Sequence, residues 1–117
     1  MRPPDLQIEK QPVAGTGITV VTLKGQLDAH TFSMLETVMD QIFEDGCFKI
    51  VFKLDALDYV ASAGMGVFIS TLARAEQQQG GVVLVNLAPK VRNVFEMFGL
   101  LDAFRSANDT TAAIAML

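Results

Sequence analysis

The sequence predicts an α/β fold with a mixed sheet of four or five strands and about four helices, mainly on one face. Near the N-terminus, two β-type runs are separated by a short turn, which favours an antiparallel hairpin. Further on, apolar β-type runs alternate with amphipathic helical patterns, as in parallel β-α-β units. In the run 48–54, Lys49 and Lys53 interrupt one face, so we expect that face of the sheet to be partly open to water.

The hairpin is predicted from residues 6–24. Apolar and polar residues alternate over 6–10, and β-branched residues dominate 18–24, so each run is typical of a strand. Two glycines in 15–17 indicate the turn between them. Residues 1–4 contain two prolines, which oppose regular pairing, so we expect a loose N-terminal end.

The first helix is predicted to begin after the hairpin. Asp28 is a favourable N-cap, apolar residues recur at helical spacing as far as Ile42, and Gly46 provides a left-handed stop. His30 is the only histidine and would lie in the first turn of this helix. Because it has no partner at a recognisable spacing, we expect it in a surface or capping role.

The stretch that follows strand 48–54 leads straight into a second helix. Ser62 suits its N-cap, because a serine hydroxyl can accept a bond from a first-turn N–H. Gly64 and Gly66 oppose helix formation, each by about 1 kcal/mol relative to alanine. Two explanations remain open: close packing on the strand below, or a surface free of side chains that lets a partner reach Ser62.

The remaining elements follow from apolar patterns and stop signals. The second helix has one apolar stripe and ends at 80–81, and the continuous run 82–85 predicts a central strand. Pro89 suits the first position of a third helix, which Gly99 would end, and a short last helix is predicted over 109–117. The two stripes comprise Met65, Phe68, Ile69 and Leu72, and Val91, Val94, Phe95 and Phe98.

Composition excludes several classes of function. The 117 residues are 50% hydrophobic, enough for a sizeable core, and the formal net charge is −4 without any basic cluster. Nucleic acids and anionic membranes are therefore not expected partners. No apolar run approaches the roughly 20 residues of a membrane span, and the N-terminus lacks the apolar segment of a signal peptide. With Cys47 as the only cysteine, we expect one cytoplasmic domain, residues 1–117, without a disulfide.

The sequence also lacks the motifs of a self-sufficient enzyme. Ser62 does not lie in a Gly-x-Ser-x-Gly elbow, and His30 is the only available base. No phosphate-binding loop is present, and Gly64-x-Gly66 is too short for a dinucleotide fingerprint. One histidine and one cysteine supply too few ligands for a metal site. We therefore predict no catalytic residue, no metal and no cofactor.

Three strings, in this order, resemble a known family. They are GQLDAHT at 25–31, YVASAGMG at 59–66 and VRNVFEMFGL at 91–100. Together they are similar to STAS domains, specifically to stand-alone bacterial anti-sigma factor antagonists, and the resemblance runs from about residue 5 to residue 117. It implies a mixed sheet flanked by helices.

The resemblance also implies a function in partner switching. In this family, the unphosphorylated antagonist binds an anti-sigma factor, which then releases its sigma factor. The anti-sigma factor is often a serine kinase with a histidine-kinase-like ATPase fold, and a serine phosphatase reverses the phosphorylation. By position in the motif, Ser62 corresponds to the phosphorylated serine and Asp28 to a nearby acidic residue. We expect a monomer or weak dimer.

A docking surface for this partner is expected around the second helix start. Its predicted residues are Asp28, Val60, Ala61, Ser62, Gly64, Met65 and Met97. The family commonly has Asp and Ser or Thr where this chain has Ala61 and Ala63, which removes a charge next to Ser62. Two alternatives remain: Ser62 acts only as a helix cap, or the domain is a subunit of another complex, such as a lipid-transport ABC system.

Overall fold

The computed structural model describes residues 5–117, which form five strands of one sheet, four α-helices and one 3-10 turn. The strands are β1 (Leu6–Val13), β2 (Ile18–Leu27), β3 (Lys49–Val60), β4 (Gly81–Val85) and β5 (Arg105–Ala107). The helices are α1 (Phe32–Glu44), α2 (Ser62–Gln77), α3 (Pro89–Met97) and α4 (Thr110–Ala115), with the 3-10 turn at Leu101–Ala103. The expected loose end, 1–4, lies outside the described residues.

The sheet has the order β1-β2-β3-β4-β5 and is mixed. β1 pairs antiparallel with β2, whereas the three other pairs are parallel. In the hairpin turn, Gly15 and Gly17 have φ angles of 77° and 71°, which glycine adopts without steric cost. The predicted N-terminal hairpin at one edge and the β3-α2-β4 unit are therefore confirmed.

Helices cover the two faces of the sheet unequally. Side chains of α1, α2 and α3 pack with Ile50, Phe52 and Leu54 in the larger core cluster. Val51 points to the opposite face, where a small cluster includes Ala113 of α4. The prediction of helices mainly on one face is confirmed, because among residues 5–117 the short α4 is the one helix that covers the other face.

Several predicted helix ends are also confirmed. Pro89 occupies the first turn of α3, and Gly46, with a φ of 83°, follows α1. After α3, the Gly99 N–H donates to Glu96 O at 2.9 Å and the Leu100 N–H to Phe95 O at 2.8 Å, which is the Schellman pattern.

Two predicted core residues are at the surface. Ile69 is 45% exposed because the inner face of α2 is formed by Met65, Val67, Phe68 and Thr71 instead. Phe98 is 48% exposed because α3 ends at Met97 and the chain turns away at Gly99. Both stripes were therefore wrong at one position.

β5 has no counterpart in the predicted elements. Its three residues, Arg105–Ala107, are mostly exposed and carry no apolar alternation. They adopt a strand because Val83, Leu84 and Val85 of β4 pair with them. Four or five strands were predicted, and the described residues form five.

Candidate functional site

The ends of β2 and β3 bring two distant parts of the chain together. Lys53 pairs with Val85, the last residue of β4, and beyond it β3 continues to Val60 beside β2 alone. Leu27 pairs with Val60, and the next N–H, from Ala61, donates to Leu27 O at 2.9 Å. Asp28 directly follows Leu27, and Ser62 directly follows Ala61. The two residues therefore lie side by side at the carboxyl ends of β2 and β3.

Ser62 is not the N-cap of α2. Ala61 occupies that position, with extended backbone angles, and its carbonyl accepts the first helical bond from the Met65 N–H at 3.0 Å. The Leu27 bond holds Ala61 in place, so the helix begins one residue earlier than predicted. Ser62 is exposed in the first helical position, and its hydroxyl forms no hydrogen bond to any residue from 5 to 117. The alternative in which Ser62 serves only as a helix cap is therefore wrong.

Because Ser62 makes no capping bond, Ser62→Ala should change the free energy of unfolding by less than about 0.5 kcal/mol. The matched control is Asp109→Ala, since Asp109 Oδ1 accepts a bond from the Ala112 N–H at 2.7 Å as the N-cap of α4. Loss of such a cap costs about 1 kcal/mol. Urea denaturation of both variants measures the difference, and an equal cost for Ser62→Ala would contradict this placement.

The two glycines of the first α2 turns have different environments. A Cβ on Gly64 would lie 2.6 Å from Leu27 Cγ and 3.0 Å from Val60 Cγ2. A Cβ on Gly66, which is exposed, would meet nothing within 4 Å. Close packing therefore explains Gly64, and it does not explain Gly66.

Asp28 organises the turn before α1. It was predicted to be the N-cap of this helix, and that prediction is wrong. Thr31 occupies that position, and α1 begins at Phe32. Asp28 Oδ1 accepts a bond from the His30 N–H at 2.9 Å, and the Asp28 carbonyl accepts one from the Phe32 N–H at 2.9 Å. His30 is exposed in this turn and lies outside the helix, also contrary to prediction.

Thr31 supports the same turn and was missed at the level of sequence. It is buried, its hydroxyl donates to Gln26 O at 2.8 Å, and it accepts from the Asp28 N–H at 2.9 Å. The signal for it is a threonine three residues after an aspartate, a spacing at which short polar side chains bond local backbone. These bonds fix Asp28 beside the start of α2.

Three other predicted docking residues do not present side chains at this edge. Val60 and Met65 are each 1% exposed and belong to the core, so their side chains offer no surface to a partner. Gly64 is buried as well. These residues shape the site from beneath, because Val60 pairs with Leu27 and the backbone of Gly64 packs closely over both side chains.

Met97 is exposed but stands at the far end of α3. It is 83% exposed in the last position of that helix. An open cavity of about 570 Å³ is instead lined by Asp58 of β3 and by Ala88, Pro89 and Lys90 at the beginning of α3. Thus the start of α3, rather than the end with Met97, approaches the end of β3.

The site is a small, mostly uncharged surface with one acidic neighbour. Ala61 and Ala63 flank Ser62, and the first turn of α2 contains no acidic residue. Within residues 5–117, no three His, Cys, Asp or Glu side chains converge in a way that could hold a metal ion. No helix in that part of the chain is long and apolar enough to cross a membrane.

A mixed sheet with three helices on one face, and an exposed serine where α2 leaves β3, are consistent with one family of domains. The chain belongs to the STAS domain family, whose family model matches residues 7–113. It is 35% identical over 99 residues to BtrV of Bordetella bronchiseptica, named as a candidate anti-sigma factor antagonist, with 85% of each chain covered. It is 30% identical over 82 residues to the anti-sigma-B factor antagonist of Staphylococcus aureus, covering 70% of this chain and 76% of that protein.

Solved structures show the same fold. An anti-sigma factor antagonist from Mycobacterium paratuberculosis superposes with a TM-score of 0.83 at 21% identity, covering 95% of this chain and 92% of that one. A sulfate transporter family protein from Wolinella succinogenes superposes with a TM-score of 0.74 at 16% identity, covering 90% and 88%. At these identities the likeness establishes the STAS fold alone.

Proposed function

We propose that this protein is an anti-sigma factor antagonist that works by partner switching. Its unphosphorylated form binds an anti-sigma factor, which releases a sigma factor, and phosphorylation of Ser62 ends the binding. The partner is a serine kinase with a histidine-kinase-like ATPase fold, and a serine phosphatase restores the active form. The protein acts in the cytoplasm as a monomer or weak dimer and catalyses no reaction itself. The names of its relatives support the antagonist role.

The free hydroxyl of Ser62 is the observation that carries the proposal. A kinase needs an acceptor oxygen that it can align with the γ-phosphate of ATP. Ser62 is exposed, its hydroxyl has no hydrogen bond within residues 5–117, and both of its neighbours are alanines that leave room for a catalytic loop. The absence of the family's usual acidic and hydroxyl neighbours leaves Ser62 as the single acceptor in this turn.

The location of Ser62 allows the fold to tolerate a phosphate while the interface does not. A phosphoserine adds roughly −1.5 to −2 charges at neutral pH. This charge is favourable at the first turn of α2, because free N–H groups and the helix dipole attract anions there. A docked partner would have to desolvate the phosphate next to Asp28, and an unmatched buried charge costs several kcal/mol.

Phosphorylation is tested by incubating the protein with ATP and the anti-sigma kinase encoded nearest to its gene, followed by mass spectrometry. One phosphate on the peptide that contains Ser62 is the expected result, and Ser62→Ala should abolish it. Ser33→Ala is the matched control, because Ser33 is also an exposed serine in the first turn of a helix. Phosphate on Ser33 and none on Ser62 would contradict the proposed acceptor.

Binding gives the second test. Ser62→Asp should bind the same anti-sigma kinase about tenfold more weakly than wild type, a loss of some 1.4 kcal/mol. Ser62→Ala should bind like wild type but stay bound when ATP is added, because it cannot be phosphorylated. Titration calorimetry with and without ATP measures both. If Ser62→Asp binds as tightly as wild type and Ser62 receives no phosphate, the switch is refuted.

One alternative function is favoured by a specific observation. The fold is shared with a sulfate transporter family protein, so a STAS subunit of a transport complex, such as a lipid-transport ABC system, is the second candidate. Neighbouring genes distinguish the two: a histidine-kinase-like ATPase or sigma factor supports the antagonist, and a transporter operon supports the subunit. Co-purification of the tagged protein with the transporter would support the transport subunit and contradict the antagonist proposal.

A further inference from the structure

We propose that the partner's contact extends from Ser62 down the outer face of α2, over Gly66 and Ile69, and places a basic side chain in the groove between α1 and α2. The inference rests on the proposed function, because the occupant is the same anti-sigma factor. It adds the extent of the interface and the chemistry of the partner segment. That segment covers the apolar side chain of Ile69 on α2 and carries a lysine or arginine beside this contact.

The three α2 positions share one face of the helix. Ser62, Gly66 and Ile69 follow the spacing i, i+4 and i+7, which places them above one another along the helix. All three are exposed. α2 has no charged residue before Arg74, so this face continues the uncharged surface around Ser62 without a break.

The residue types on this face lack an explanation within the chain itself. Glycine is the least favourable residue in a helix interior apart from proline, and within residues 5–117 no packing contact requires a glycine at position 66. Ile69 exposes 45% of a large apolar side chain on a helix whose inner face is already filled. A partner backbone that passes over Gly66 and covers Ile69 would account for both, and Ser62 places that partner at the adjacent turn.

The groove between α1 and α2 carries a negative charge, which indicates the charge expected on the partner. It has a volume of about 150 Å³ and is lined by Glu36 and Asp40 of α1 and by Ser70 and Arg74 of α2, among others. Arg74 Nη1 lies 2.6 Å from Asp40 Oδ1, and the guanidinium stacks over the Phe43 ring at 4.5 Å, so this cation is already paired. Within residues 5–117 the Glu36 carboxylate has no ion-pair partner, which leaves a net negative charge in the groove. Electrostatic complementarity therefore favours a basic side chain.

Gly66→Ala provides the sharpest test, because its two effects have opposite signs. The added methyl group should raise the melting temperature, since alanine favours the helix and the site is open. The same methyl group would separate the partner backbone from α2, so binding should weaken about tenfold. Calorimetry against the purified anti-sigma kinase encoded nearest to the gene, together with thermal unfolding, measures both effects.

Two further variants test the apolar and the charged contacts. Ile69→Ala should weaken binding about tenfold through the lost apolar area. Glu36→Gln should weaken binding and reduce its dependence on salt, because screening acts on the lost ion pair. Glu44→Gln is the matched control, since Glu44 is an exposed carboxylate at the last position of α1 and does not line the groove; it should bind like wild type.

The outcomes separate the inference from the function on which it rests. Wild-type affinity in Gly66→Ala, Ile69→Ala and Glu36→Gln, together with weakened binding by Ser62→Asp, would overturn the extended contact and leave the switch intact. Weakened binding by the three variants, with an unchanged control, would establish the contact. If the wild-type protein does not bind the kinase, both proposals fall.

Discussion

Phe68→Ala should reduce the free energy of unfolding by about 3–5 kcal/mol, a large part of the stability of a domain of this size. Phe68 is fully buried at the centre of the larger core cluster. Its ring meets Phe52 of β3 edge-on with centroids 5.0 Å apart, Phe95 of α3 at 5.3 Å and Phe104 at 6.5 Å. Truncation would leave a cavity among three rings from separate parts of the chain, which cannot all move inwards together.

Equilibrium unfolding in urea measures this loss, and Ile69→Ala is the matched control. Ile69 is the next residue on the same helix, but it is nearly half exposed and lies outside the core clusters. Its truncation should cost about 1 kcal/mol or less, because little of its apolar area is buried in the isolated protein. Similar costs for the two variants would contradict the orientation of α2 described above.

The parts of the fold that the sequence predicted are those with local causes. The hairpin follows from two β-type runs and a turn with Gly15 and Gly17, and the glycine stop after α3 follows from the left-handed conformation of Gly99. The β3-α2-β4 unit follows from apolar patterns that alternate along the chain. In each case, a few neighbouring residues determine the outcome.

The predictions failed where contacts with other parts of the fold determine the local structure. The start of α2 shifted from Ser62 to Ala61 as N-cap because Leu27, from the preceding strand, binds the Ala61 N–H. β5 exists because β4 offers an unpaired edge to Arg105, Ser106 and Ala107, which carry no strand pattern of their own. Ile69 is exposed because packing of α2 against the sheet rotates the helix so that Val67, outside the predicted stripe, faces the core. None of these causes is visible in a short window of sequence.

The candidate site was predicted in outline, and the structure changes its composition. The motifs led to Ser62 and Asp28, and the paired ends of β2 and β3 bring these two residues together. Met65 was predicted both in the apolar stripe of the second helix and in the docking surface, and its burial agrees with the stripe. The exposed part of the site is therefore smaller than predicted.

Gly64→Ala should destabilise the fold by about 1–3 kcal/mol, whereas Gly66→Ala should stabilise it by about 0.4–1 kcal/mol. The two glycines lie two residues apart in one helix, so intrinsic propensity predicts a gain for both. Packing reverses the sign at Gly64, because a Cβ there would lie 2.6 Å from Leu27 Cγ and 2.8 Å from Leu27 Cδ2. Leu27 is fully buried and cannot move aside without disturbing the core.

The same clash would be transmitted to the proposed switch. Leu27 and Val60 are the last residues of β2 and β3, and a Cβ on Gly64 would press on both. Relief requires α2 to move away from the sheet, which would strain the bond from the Ala61 N–H to Leu27 O. Because that bond sets Ser62 beside Asp28, Gly64→Ala should also slow phosphorylation of Ser62 under conditions in which the variant remains folded.

Urea denaturation of the two single variants, with kinase assays at a temperature where both are folded, checks the stability and the position of the acceptor separately. Changes in unfolding free energy of the same sign would show that helix propensity, and not the contact with Leu27, determines both positions.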